Sequence, residues 1–366
     1  RIVERRIAAG WFQRLAGSER SFVSLGAGFD GDIPDGVHVV WVRRVTDDQG
    51  RIFLDRPALD PGTAPLDEFQ GRFAQREQRY RRLADDTYIV AEGCTGPSEA
   101  DRLFLGLEAA PVGGWLSVLP PDVEESRWDR FLATRLGWGV ERLEVRDDLV
   151  DHSVMPRLAT IPADRLVVGY RTGERWLDEL AVTGALSDWA LELGDPPAGM
   201  DIVSLHDRFQ GESVADAAGR LEAASSGHLK LAVEVNGFVE LAQGHEWMTA
   251  DRSRRSFLPR SASGRWAWYR QINRGAMAVN FFRVGDGSAP DQPTLAEWTM
   301  TAERPQSFAA ILGDPVDHSR TPCRQMGYFS PAPVVRIPMT VEECTAETFG
   351  ILEGIGLTPA AVTAPL

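Results

Sequence analysis

Cysteine is scarce in this chain. Cys94, Cys323 and Cys344 are odd in number and widely spaced, so neither a disulfide framework nor a cysteine-based zinc site is expected, and a reducing cytoplasm is the expected compartment. Long apolar runs are missing too. No stretch approaches the ~18 residues needed to cross a bilayer, so no membrane partner is expected. Positive charge is in deficit, with 39 Lys and Arg against 53 Asp and Glu and a formal net charge of −14. That balance excludes a broad nucleic-acid surface, which needs cations to displace phosphate counterions. A small anionic substrate held by a few local arginines remains open. No initiator methionine precedes Arg1-Ile-Val-Glu4, and the chain reads as a piece of a longer multidomain protein.

What is present suits a soluble globular protein: 366 residues, 43% hydrophobic and 25% charged, with room for two or three domains. Three stretches differ in texture. Residues 1–112 alternate apolar runs such as Val37-His-Val-Val-Trp-Val-Arg43 with charged, helix-favouring segments. The turn-rich Glu92-Gly-Cys-Thr-Gly-Pro97 and Ala109-Ala-Pro-Val-Gly-Gly114 mark a boundary. Residues 113–301 hold eight short strand candidates, at 115–119, 142–146, 166–170, 189–193, 201–205, 228–234, 255–259 and 278–283. Most are separated by helix-length segments, and the pattern predicts an α/β fold, a closed (β/α)8 TIM barrel. A further βα unit begins near Ser307 and occupies 307–366. The barrel is thus expected to be flanked by incomplete α/β domains.

In such barrels the reactive side chains stand at the C-terminal ends of the strands. Reading those positions gives Glu144 and Arg146, then Arg171, then His206 and Asp207, with Lys230 inside the apolar run His228-Leu-Lys-Leu-Ala-Val-Glu-Val235. A lysine in an apolar strand is costly unless paired or used. Burial lowers its pKa, and a neutral amine can attack a ketone to give an imine. A histidine beside it can move protons, and arginines can hold a carboxylate.

These residues sit in segments that resemble type I 3-dehydroquinate dehydratase over roughly 115–298. Leu143-Glu-Val-Arg-Asp147 is similar to that family's L-E-W-R-x-D, and Val168-Gly-Tyr-Arg-Thr172 to its F-T-x-R-S. Val203-Ser-Leu-His-Asp207 is similar to S-x-H-D, Leu229-Lys-Leu-Ala232 to K-I-A, and Ser288-Ala-Pro-Asp-Gln292 to S-A-P-G-Q. The resemblance implies a lyase of the shikimate pathway in which Lys230 forms a Schiff base with 3-dehydroquinate and His206 moves the C2 proton. It implies that Glu144, Arg146 and Arg171 orient the substrate, that Ser288 and Gln292 close over it, and that neither a metal nor an organic cofactor takes part. The sequence departs from the family where its carboxylate-binding arginine falls on Trp268; Arg265 or Arg270 would substitute only in a rebuilt loop. Asp291 replaces the glycine of the last motif.

The flanks carry two further resemblances. Ser24-Leu-Gly-Ala-Gly28, with Gly26 and Gly28, Arg56-Pro-Ala-Leu59 and Arg76-Glu-Gln-Arg-Tyr80 are similar to the C-terminal part of shikimate kinase, which implies a shikimate-binding role for Arg76. The phosphate-binding G-x-x-x-x-G-K-[ST] loop is missing from the sequence. Ala310-Ile-Leu-Gly-Asp-Pro-Val-Asp-His-Ser-Arg-Thr-Pro322 and Ala361-Val-Thr-Ala-Pro-Leu366 resemble the N-terminal part of shikimate dehydrogenase, where Ser319, Thr321 and Thr363 match polar substrate-binding positions. The order kinase, dehydratase, dehydrogenase resembles the last three domains of the fungal arom polypeptide. It equally resembles the quinate repressor, which implies a second reading as a catalytically degenerate sensor. Self-association into a homodimer is left open.

Overall fold

In the computed structural model the described residues are 113–225, 227–284, 287–293, 295, 298, 305–312, 327–328 and 333–363. Before residue 113 they are 33, 39–44, 62–64, 67, 71, 76, 79, 80, 82–84 and 86–90. The chain divides into two compact units, Arg1–Val39 and Val40–Leu366. Among the described residues the second holds three sheets.

The first sheet is a parallel pair, β1 (Val40–Arg44) with β2 (Asp86–Val90). The second is seven-stranded, wholly parallel and in sequential order: β3 (Trp115–Ser117), β4 (Arg142–Arg146), β5 (Leu166–Tyr170), β6 (Leu186–Ala190), β7 (Ile202–Leu205), β8 (His228–Leu231) and β9 (Arg255–Phe257). The third has the order β11 (Gly327–Tyr328), β12 (Pro333–Met339), β10 (Ser307–Leu312), β13 (Thr358–Thr363). In it β10 runs parallel to β12 and β13, while β11 is antiparallel to β12.

The central sheet corrects the expected architecture. It is an open, curled sheet of seven strands, not a closed eight-stranded barrel. The expected eighth strand at 278–283 makes one isolated bridge, Phe281 to Trp115. Toward β9 it offers no backbone ladder: Val279 N donates to the side chain, Ser256 Oγ, at 3.1 Å. β9 is only three residues long and runs into Leu258-Pro259, and proline has no N–H to give a ladder. The helical layer is also thinner than the βα alternation predicts. Between β6 and β7 the segment Gly194-Asp-Pro-Pro-Ala-Gly199 replaces a helix, with Gly194 and Gly199 at φ 106° and 87°. Adjacent prolines and two left-handed glycines cannot propagate a helix.

The longer helices are α1 (Trp128–Gly137), α3 (Val214–Ala224) and α4 (Phe238–Ala250), with the short α2 (Met155–Leu158) and α5 (Ala267–Ile272) between and after them. Helix α3 starts where Ser213 accepts a hydrogen bond from Asp216 N, an ordinary N-cap. Strand alternation then sorts the sheet's two faces. Leu143 and Val145 of β4 join Trp128 and Phe131 of α1 in one apolar cluster. Leu229 and Leu231 of β8 join Leu221 of α3 and Leu241 of α4 in another, which continues through Phe308, Val335 and Leu352 of the third sheet and its helix α6 (Ala346–Gly354). The residues between them in sequence, Glu144 and Lys230, therefore face the other way, into the curl of the sheet. Among the described residues no helix is long and apolar enough to cross a membrane.

Candidate functional site

The inner face of the curl carries a cluster of four ionisable groups drawn from four strands or strand ends. Lys230 is 3% exposed and Glu144 2%, and Asp188 of β6 is fully buried. Lys230 Nζ donates to Asp188 Oδ2 and lies 3.6 Å from Glu144 Oε1. Arg171, just past β5, reaches the same two carboxylates, at 2.6 Å from Asp188 Oδ2 and 3.1 Å from Glu144 Oε1. Its Nη1 also donates to the carbonyls of Tyr170 and Asp188 at 2.9 and 3.0 Å. Asp147 holds the Arg171 loop in place by accepting from Arg171 N at 2.7 Å and Thr172 N at 3.1 Å. A Cβ at Gly169 would lie 2.9 Å from Arg146 Cγ and 3.4 Å from Arg171 Nη2, so that strand position must be bare where the two arginines pass.

Two cations and two anions balance on the floor of the site. Burial works against the charge on Asp188, yet Arg171 and Lys230 hold it well below the usual carboxylate range. Glu144 is likewise held low by Lys230, Arg171 and Arg146 in spite of burial. Burial pushes Lys230 below the ordinary lysine range; Asp188 and Glu144 pull it back up, and Arg171 adds to the depression. The Lys230 ammonium also sits 5.3 Å from the centre of the Phe281 ring.

His206 stands at the lip with its side chain 21% exposed. Glu192 organises it: its Oε1 accepts from His206 N at 2.5 Å and Asp207 N at 2.8 Å, and its Oε2 lies 3.4 Å from His206 Nδ1. A carboxylate can only accept, so Nδ1 carries the proton and Nε2 keeps its lone pair. Burial, with Arg171 and Lys230 nearby, lowers the imidazole pKa to about 4, although Glu192 opposes this. The ring is a neutral base at pH 7.

Ser288 and Gln292 face each other in the last loop, with Gln292 Nε2 donating to Ser288 Oγ at 2.9 Å. Ser288 Oγ is 3.1 Å from Ser117 Oγ, which donates to Glu144 Oε2 at 2.8 Å, so the loop is tied to the floor. Asp291 fixes the same loop from behind. Fully buried, it accepts from Ser261 N at 2.5 Å, Ser261 Oγ at 2.8 Å and Trp266 N at 2.7 Å. Together these elements enclose a cavity of about 300 Å³ lined by Glu144, Arg146, Arg171, His206, Lys230, Ser288 and Gln292. All seven residues expected at the central site are therefore brought together. Arg146 pairs with Asp148, at 2.8 Å from Nε to Oδ1.

Two residues at this site were not anticipated from sequence, Asp188 and Glu192. Asp188 lies one residue before the strand expected at 189–193 and Glu192 inside it; the strand forms three residues earlier, at Leu186–Ala190, which puts Asp188 within it and Glu192 just past its end. Trp268 is buried in the core beside Trp266 and Tyr269. Arg265 pairs with Glu343 at 2.6 Å, outside the cavity. In the flanks, Arg76 lies in a helical segment and is half-buried, and Thr363 ends β13, paired with Ile311 of β10. Gly26, Gly28, Ser319 and Thr321 lie outside the described residues. Among the described residues no group of three or more His, Cys, Asp or Glu is placed to hold a metal ion.

No protein-family model and no curated protein matches the chain. Among solved structures it is similar to the dehydroquinate dehydratase and shikimate dehydrogenase from S. pombe AroM, at 16% identity and a TM-score of 0.37. The match covers 72% of this chain and 54% of that one, so this chain spans about half the length of its structural neighbour.

Proposed function

We propose that the cavity dehydrates 3-dehydroquinate to 3-dehydroshikimate through an imine on Lys230. One observation carries the reading. Of the 39 lysine and arginine residues in the chain, Lys230 alone is lysine, and it is buried at the floor of a polar cavity with a neutral histidine at its lip. Of the two residue types, only lysine readily loses a proton and attacks a carbonyl.

The steps follow from the groups in place. Lys230 gives up a proton to water, as its burial favours, and its lone pair adds to the C3 ketone; a proton from water returns to the carbinolamine hydroxyl, which departs as water and leaves an iminium. His206 Nε2 takes the C2 proton, and the C–H electron pair moves toward the iminium nitrogen as an enamine. Return of that pair expels the C1 hydroxyl, which leaves as water with the proton His206 carries. Hydrolysis of the imine then frees the product and Lys230. Glu192 keeps the imidazole in the tautomer that can do this.

A second reading, a sensor that binds the same acid without turnover, draws on one observation: Lys230 Nζ is already engaged by two carboxylates. One experiment separates the two. The chain is incubated with 3-dehydroquinate and borohydride, and its mass is mapped by peptide. With a single lysine, an adduct can fall only there or on the N-terminal amine. A reduced adduct on Lys230, absent from Lys230→Ala, together with appearance of the enone product, is expected. Absence of both adduct and turnover would leave the sensor reading in place.

A further inference from the structure

Four arginines line the cavity, and their charges are met in two different ways. Arg171 faces Asp188 and Glu144, and Arg146 faces Asp148. Arg260 and Arg270 also line it, and neither has a carboxylate within ion-pair distance among the described residues. Arg270 is 3% exposed, yet its hydrogen bonds go only to backbone carbonyls: Nε to Pro259 O at 3.2 Å, and Nη2 to Leu258 O and Pro259 O at 3.3 and 3.1 Å. Arg260 makes one long side-chain contact, Nη1 to His206 O at 3.4 Å. The nearest acid behind them, Asp291, is saturated by Ser261 and Trp266. Two guanidinium groups close enough to repel thus share one wall; burial pushes Arg270 down to about 10, Asp291 opposes this from beyond ion-pair distance, and Arg260 adds to the depression. A buried cation with no carboxylate in direct contact is costly, and an anion arriving from outside relieves that cost.

We propose that Arg260 and Arg270 form the anion-binding end of the cavity, receiving the carboxylate of a small organic acid whose other end reaches Lys230. The pair comes from the end of the β8–β9 edge and from α5, on the side of the site from which Trp268 has withdrawn into the core. A planar fork is suited to a carboxylate. The assignment rests on the imine reading only for the ketone end; the anion end stands on its own charges.

The test uses quinate, a cyclitol carboxylate with no ketone, so that binding is read apart from Lys230 chemistry. Calorimetric titration should show quinate binding to the wild-type chain and a loss of about tenfold or more in Arg260→Gln, the usual worth of a charged hydrogen bond. Quinamide, its neutral amide, should bind both chains equally. Arg260→Lys should recover part of the loss, and Arg270→Lys should weaken quinate binding provided its melting transition shows a folded chain. Equal quinate affinity in wild type and Arg260→Gln, no quinate binding at all, or a larger loss in Arg146→Gln would each overturn the assignment. Failure of borohydride trapping with quinate binding intact would sink the imine and leave the anion site standing.

Discussion

The floor and the lip of the cavity use the same device, a nitrogen base facing a carboxylate, but surround it with different sets of fixed charges. On the floor, Lys230 meets two carboxylates and one guanidinium, all nearly inaccessible to water. At the lip, His206 meets one carboxylate, Glu192, with its side chain 21% exposed and the glutamate 27%. Burial disfavours the charged form of both bases. The lysine, however, has two carboxylates in contact that pull its pKa back up, whereas the histidine has one hydrogen-bonded carboxylate against the cations Arg171 and Lys230. Burial is the largest influence on both bases, and the fixed neighbours set how far each is offset. The lip is thereby a ready proton acceptor, and the floor is a charge-balanced cluster that substrate must unlock.

The largest way to break this contrast is to remove the shared anion of the floor. Asp188→Asn would leave Arg171 and Lys230 facing Glu144 alone, and loss of one partner from a buried ion pair typically costs ~3–5 kcal/mol. Urea unfolding should show that loss, with Lys230 more readily deprotonated in the folded remainder. A cost below about 1 kcal/mol, the range of exposed pairs, would mean that water reaches the floor.

A smaller effect is expected at the lip. Glu192→Gln puts an amide where Nδ1 needs an acceptor, and loss of a charged hydrogen bond of ~1.5–3 kcal/mol corresponds to a roughly 10- to 150-fold drop in kcat. His206→Ala should cost more, ~10²–10⁴-fold, and should leave imine trapping on Lys230 measurable. If Glu192→Gln lowers kcat as far as His206→Ala does, the carboxylate does more than orient the ring.

Strands β4 and β5 could be read to the residue, because each apolar run ends abruptly in a polar turn, Asp147-Asp148 and Arg171-Thr172-Gly173. Strand β6 could not. Ser187-Asp188 looks like a turn, and only Lys230 and Arg171 arriving from other strands make an aspartate tolerable inside a buried strand. The expected strand thus started one residue past Asp188 and ran on past the true end, so that Glu192 was counted within a strand when it stands in the turn after it. Trp268 illustrates the same limit in reverse. It stands where the family resemblance puts an arginine, but its ring fills core space between α5 and its neighbours, so counting along the loop could not find Arg260. Closure of the sheet was equally out of reach, since an apolar run at 278–283 says nothing about whether its neighbour is long enough to pair with it. The chain's single lysine is a further signal that needs no structure.

The finest contrast between floor and lip is in pH. His206 is held to about 4, below the ordinary histidine value of 6.5, by burial first and by Arg171 and Lys230 after it. It therefore stays a neutral base as pH falls through the usual histidine range, and kcat/KM should remain level to about pH 5 and reach half near pH 4. Glu192 does not confuse this limb. Although burial works against its charge, the His206 contact and the two backbone amides hold it at about 2, so it remains ionised throughout. Stability should follow the same sign. The unfolded histidine takes up its proton first, so what the neutral His206 contributes is complete above its unfolded pKa and is lost as pH falls toward 4, by ~3 kcal/mol at ~1.4 kcal/mol per unit. In Glu192→Gln the hydrogen-bonded carboxylate that raises the pKa of His206 is gone. Its activity limb should move to still lower pH, in an enzyme slower at every pH. A wild-type limb near 6.5, or a limb that climbs on removing Glu192, would show that the lip is hydrated and that the two halves of the site are not as different as their burial implies.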